Sequence, residues 1–234
     1  MCCQFREDLL VSVNIIFWLF LLVDPTSGIS WGSNDEIVFG QGAKGIMRVS
    51  AKGGKPQNVV TVQNDELADR PQILPGGKTL LFTLAKGTIV NNRRWDAAQI
   101  VAQVLATSER TVLISGGSDG RYVPTGHLVY ALGGTLQAAP FNLQKLQVTG
   151  DPVPILEGVM RSVNNQTGVA QFSLSENGSL VYVPGPSSTA AVQQSLTLTF
   201  FDRNGGMKKL GIPAGPAGPY LFPRISPDGE TTHL

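Results

Sequence analysis
Residues Gly116-Gly117-Ser118-Asp119-Gly120 have the G-x-S-x-G spacing that presents a serine nucleophile in hydrolases. That chemistry needs a strand before the serine, a helix after it and a histidine to take the hydroxyl proton. A strand is expected over residues 111–114, but residues 121–130 read as a turn and a second strand. His127 falls in that turn, and the other histidine, His233, stands near the C-terminal end. Ser118 therefore reads as part of a connection between repeats and not as a nucleophile. Gly77-Lys78-Thr79 imitates the end of a phosphate-binding loop, but the first glycine of that motif would fall at Gln72 and no helix follows. Cys2 and Cys3 lie far from both histidines and no Asp-x-Asp-x-Asp loop occurs, so neither a metal site nor a cofactor is expected.

Two kinds of segment remain. Asn165-Gln166-Thr167 and Asn177-Gly178-Ser179 are formal glycosylation sequons, the second inside a turn. Arg93-Arg94-Trp95-Asp96 joins two expected strands and should lie on a rim, where loops vary without cost to the sheets. An ordinary solvated loop is the default for such a charged stretch. The alternative is a rim-loop binding site formed by Arg93, Arg94, Trp95 and Asp96.

The elements that must hold these residues are strands and turns in a repeat. Turns at Asn34-Asp35, Pro75-Gly76-Gly77, Pro124-Thr125-Gly126 and Glu176-Asn177-Gly178 each lead into an apolar run ending in an aromatic. Those aromatics, Phe39, Phe82, Tyr130 and Tyr182, stand 43, 48 and 52 residues apart. A fifth copy begins at Ile225 and meets the C-terminus at Leu234. Each copy continues with a second strand, a short turn and an outer strand, as in residues 45–50 followed by 57–62. Val, Ile, Thr and Phe dominate these runs, as half-buried pleated surfaces favour. Asn204-Gly205 is a hairpin signal, because a type I′ turn needs positive φ at both central positions. A period of this size, made of strands, predicts an all-β chain folded as a β-propeller of four-stranded antiparallel blades. About four blades and the start of a fifth are expected, an incomplete propeller with an unpaired edge that invites association. One blade is too small to bury its own faces, so the repeated aromatics should form core between blades.

Composition agrees with this. Apolar residues make 42% and charged residues 15% of the 234, and Gly 27 with Pro 15 supplies many tight turns. A net charge of +1 gives no broad attraction for nucleic acid. The cysteines, adjacent at positions 2 and 3, cannot staple the body of the fold and do not fix the compartment. Residues 9–23 form an uncharged apolar run of 15 residues. That is shorter than the roughly 20 that usually span a bilayer, and the small residues Thr26, Ser27 and Gly28 follow it. The run admits four readings: a membrane anchor, an uncleaved signal, a cleaved signal, or a mistranslated or buried segment. The expected division is a hydrophobic, helical N-terminal segment over 1–27 and the propeller over 28–234.

The turn Ser226-Pro227-Asp228-Gly229, with its variants at Pro75-Gly76-Gly77 and Ser175-Glu176-Asn177-Gly178, resembles that of TolB-like, WD-repeat-like propellers. Further segments extend the likeness, among them Gly28-Ile29-Ser30-Trp31-Gly32, Trp95-Asp96, Arg121-Tyr122-Val123-Pro124 and Gly178-Ser179-Leu180-Val181-Tyr182. Together they resemble a bacterial subfamily in which the propeller lies C-terminal to a serine/threonine protein kinase domain and one membrane-spanning helix. The resemblance covers about residues 28–234. The chain departs from that family in having no Gly-rich nucleotide loop, no His-Arg-Asp loop and no Asp-Phe-Gly motif, so kinase activity is not carried over.

Three functions compete: a membrane-tethered interaction or ligand-sensing propeller, the propeller gate of a prolyl-oligopeptidase-type serine peptidase, and a periplasmic TolB-like scaffold. The series of subfamily segments favours the first, with a protein or small-ligand partner, a possible membrane contact through residues 9–23 and a place in the cell envelope. The repeat architecture also leads to the expectation that the chain is not an enzyme and holds no catalytic residue.

Overall fold
The computed structural model describes residues 27–32, 34–87, 92–162, 167–185, 199–201, 205–209, 224–225 and 232–233. The apolar run at 9–23 lies outside the described residues. Among the described residues no helix is long and apolar enough to cross a membrane.

The chain is built of antiparallel sheets, each a meander in sequence order. The first sheet is β1 (Ile29–Trp31), β2 (Glu36–Gly40), β3 (Ile46–Ser50) and β4 (Gln57–Val60). The second is β5 (Glu66–Ile73), β6 (Thr79–Lys86), β7 (Gln99–Val104) and β8 (Arg110–Ser115). A short helix, α1 (Asn92–Asp96), stands between β6 and β7. The third sheet is β9 (Ser118–Val123), β10 (His127–Leu132) and β11 (Thr135–Asn142), whose outer side is shared by β12 (Gln147–Val148) and β13 (Val153–Leu156). The fourth is β14 (Phe172–Leu174), β15 (Leu180–Tyr182), β16 (Thr199–Phe201) and β17 (Met207–Lys209). The fifth copy contributes a pair, β18 (Arg224–Ile225) and β19 (Thr232–His233). This is the β-propeller type of fold that the repeat implies. Two details differ from expectation: the third sheet has five strands, and the connection carrying Arg93 is helical.

The turns close as their residues dictate. Gly77 N–H donates to the Leu74 carbonyl (3.0 Å) and Leu74 N–H to that of Thr79 (2.9 Å), so Gly77-Lys78-Thr79 ends a hairpin turn. All four repeat aromatics are buried: Phe39, Phe82, Tyr130 and Tyr182. Strand alternation sends Val38 to one face of the first sheet and Ile37 and Phe39 to the other.

By its contacts the chain divides into two compact units, Met1–Thr88 with Val101–Thr111, and Ile89–Ile100 with Val112–Leu234. In the first, Val38, Ile46 and Val60 pack with Ala68, Leu80 and Phe82, which is sheet-on-sheet burial of the kind the repeat calls for. Polar clasps run beside it. Gln103 Nε2 donates to the Val59 carbonyl (2.8 Å), and Arg110 Nε donates to Gln103 Oε1 (2.7 Å). The Arg110 guanidinium also reaches the Thr61 carbonyl and lies 5.9 Å from the Phe82 ring centroid. In the second unit Val129, Ala131 and Leu136 meet Phe172, Leu180 and Tyr182.

Candidate functional site
The connection between β6 and β7 is one of two long hairpin connections, the other being residues 183–198 between β15 and β16, most of which lie outside the described residues. The first covers residues 87–98, whereas Gly133-Gly134 alone join β10 to β11. Insertions of this kind in repeat folds map to loops that frequently carry binding. Ala97 N–H donates to the Arg93 carbonyl (2.9 Å), a single helical turn. The four residues singled out from the sequence take different places in it. Arg93 is exposed and Arg94 half-buried. Trp95 is fully buried, and a Cβ built on Gly168 would fall 2.7 Å from its ring and 3.0 Å from Ser118 Cβ. The absence of a side chain at Gly168 thus lets the backbone approach the indole closely. Asp96 Oδ1 accepts from Arg161 Nη1 (2.6 Å) and from Gly133 N–H (3.1 Å), while its carbonyl accepts from Gly117 N–H (2.9 Å). Trp95 and Asp96 are anchors of the insert. Arg93 is what it offers to solvent.

The same anchors position the G-x-S-x-G segment. Gly116 N–H donates to the Ala98 carbonyl (2.8 Å), next to the Gly117–Asp96 bond. Ser118 then opens strand β9, fully buried, and its Oγ has no hydrogen-bond partner among the described residues. His127 pairs with Val123 at the far end of β9, with its Nδ1 3.2 Å from Thr125 Oγ1. A strand follows Ser118 where a nucleophile would need a helix, and His127 does not reach it. Among the described residues no group of three or more His, Cys, Asp and Glu could hold a metal ion.

The structure also brings forward residues the sequence reading passed over. The pairing of β5 with β6 slips between Asp69 and Gln72, and that of β9 with β10 slips opposite Val129 and Ala131. Each slip is a β-bulge. Its residue of positive φ is Arg70 (54°) in the second sheet and Asp119 (53°) in the third. Gly28 (91°) takes the matching place in the first sheet, where a Cβ would fall 2.9 Å from Arg70 Cα. Arg70 and Asp119 are buried, as is Gln171 at the matching place in the fourth sheet. Asp119 Oδ1 pairs with Arg121 Nη2 (2.8 Å), and its Oδ2 accepts the Ala170 N–H (3.0 Å). The bulge turns a carboxylate inward, where it binds the backbone of the segment just before β14. The signal was available: Arg70 and Asp119 each stand five residues before the proline of the following turn.

No protein-family model and no curated protein matches the chain. Solved structures do. Regucalcin, a calcium-binding protein from Agrobacterium tumefaciens, is 11% identical over 87% of this chain and 65% of its own, with a TM-score of 0.56. A luciferin-regenerating enzyme is 11% identical over 82% of this chain and 65% of its own, with a TM-score of 0.56. A puromycin-hydrolyzing peptidase from Mycobacterium tuberculosis is 12% identical over 87% of this chain and 40% of its own, with a TM-score of 0.52. The chain thus spans less than two thirds of the length of each of these. At such identities the likeness is one of fold. It corrects the expectation that this architecture argues against an enzyme: the luciferin-regenerating enzyme and the peptidase share it. The physical reason is that sheets set a scaffold, while chemistry sits in the connections grafted on it.

Proposed function
We propose that this chain is the recognition part of a membrane-tethered β-propeller of the TolB-like, kinase-linked kind, and that it binds a protein or small-ligand partner at the β6–β7 insert. One observation carries the proposal. The insert is long, it is braced by Trp95 and by the Asp96–Arg161 pair, and it leaves Arg93 exposed. A guanidinium on a braced support suits a carboxylate or phosphate, which it grips through two parallel N–H donors. Residues 1–27 supply the tether and residues 28–234 the propeller, in the cell envelope.

The test is a photo-crosslinking residue placed at Arg93, with the same residue at exposed Lys145 as control, in cells carrying the full chain. An adduct specific to position 93, lost on Asp96→Ala, supports the proposal; equal adducts at both positions sink it. Membrane fractionation with and without residues 9–23 tests the tether. A second reading, the gate of a serine peptidase, is favoured by the likeness to the puromycin-hydrolyzing enzyme. Sequencing the coding DNA on both sides separates the two: a kinase domain upstream supports the first, a nucleophile-elbow domain downstream the second.

A further inference from the structure
The turn between β14 and β15 holds an Asn-Gly dipeptide, Asn177-Gly178, in an exposed position. Asparagine followed by glycine is chemically labile, because no side chain hinders attack by the next backbone nitrogen on the carboxamide carbon. We propose that Asn177 is a site of succinimide formation and deamidation, and that Ser175 is the gate which slows it in the folded protein. The Gly178 nitrogen, deprotonated by hydroxide, forms a bond to Asn177 Cγ. The Cγ–Nδ2 bond breaks and ammonia leaves. Water then opens the ring at one carbonyl to give aspartate, or at the other to give isoaspartate, so the net exchange is water in and ammonia out.

The folded turn obstructs the first step at two atoms. The nucleophile is engaged, since Gly178 N–H donates to the Ser175 carbonyl (3.1 Å). The carboxamide is tied as well, since Ser175 Oγ donates to Asn177 Oδ1 (2.5 Å) and Ser179 N–H donates to it (3.1 Å). Ser175 Oγ also accepts the Ser179 N–H (2.9 Å), which holds the turn as one unit. Ser175 is itself buried and hence a fixed anchor. The aspartate product suits the turn, for the fifth copy carries Asp228-Gly229 at the same place. The isoaspartate product lengthens the backbone between strands whose register is Leu174 opposite Leu180. Either product erases the sequon.

The experiment is incubation of the purified full chain in mildly alkaline buffer, with peptide mapping by mass spectrometry and isoaspartyl labelling by a methyltransferase. The expected order of conversion at Asn177 is urea-unfolded chain fastest, then folded Ser175→Ala, then wild type. The gap between the last two should be about fivefold, the factor carried by one hydrogen bond. Ser175→Thr keeps the hydroxyl and should convert at the wild-type rate, so a faster Ser175→Thr overturns the gate whether or not Ser175→Ala folds. Equal rates in folded Ser175→Ala and wild type overturn it too. An unchanged Asn177 in folded wild type and Ser175→Ala, while the second dipeptide Asn204-Gly205 converts, overturns the site itself.

Discussion

Removal of the Asp119 carboxylate should be among the most damaging single changes in the second unit, and the size depends on the replacement. Asp119 is fully buried, pairs with Arg121 at 2.8 Å and accepts the Ala170 N–H at 3.0 Å. Breaking one side of a buried pair costs about 3–5 kcal/mol, and the partial exposure of Arg121 places this case near the low end. Aspartate already carries a Cβ at φ 53° but tolerates it through local hydrogen bonding, which alanine cannot do, and this adds at most about 1 kcal/mol. The expected loss for Asp119→Ala is therefore about 4 kcal/mol. Asp119→Gly loses the same contacts without the backbone term, so about 3 kcal/mol. Asp119→Asn keeps an acceptor for Ala170, tolerates positive φ and forfeits only the charge, so about 1–2 kcal/mol. Urea unfolding reads the series as a falling midpoint at constant slope. An Ala variant no worse than Gly would refute the strained bulge. An Asn variant within about 0.5 kcal/mol of wild type, the range of indifferent surface changes, would refute the role of the charge.

Three further outcomes are expected. A double-mutant cycle on Gln103→Ala and Arg110→Ala should give a coupling of about 1 kcal/mol, because the Nε–Oε1 bond is made within a clasp on the Val59 and Thr61 carbonyls. Gly28→Ala should destabilise by about 2 kcal/mol or more in thermal unfolding, since it meets positive φ and the Arg70 Cα at 2.9 Å together. Burial raises the Tyr130 phenol above its ordinary 10.0, so its contribution is fully present below that pH and is lost as pH rises from there through the folded value. Unfolding free energies measured across the alkaline range should show that decline in wild type and a weaker one in Tyr130→Phe.

The blades were legible because their signal is local and repeated. A turn that needs Gly, Asp or Asn is followed by alternating apolar residues, and each copy states it again within its own few residues. The helix α1 was not legible in this way, since one turn of helix is too short to show a 3.6-residue period. It exists because tertiary contacts hold it: Trp95 under Gly168, and Asp96 between Arg161 and Gly133. Arg161 lies 65 positions from Asp96, and no pattern along the chain announces that pair. The fifth strand of the third sheet, β12, is a two-residue strand with no hydrophobic run of its own. The apolar segment 9–23 and the sequon residue Asn165 lie outside the described residues.

The bulge residues show where a repeat conceals information. Gly28, Arg70 and Asp119 occupy one structural position and share positive φ, yet their side chains are a hydrogen, a cation and an anion. A repeat sought through similarity of residue type overlooks such a position, because the constraint acts on the backbone and leaves the side chain free to differ. That freedom explains why the architecture does not decide the chemistry. The second and third sheets share the bulge, yet it carries a cation at Arg70 and an anion at Asp119, and neither sheet requires the insert between β6 and β7. Function in this chain has to be sought at the positions that vary from blade to blade, and the β6–β7 insert with its turn of helix is one of them.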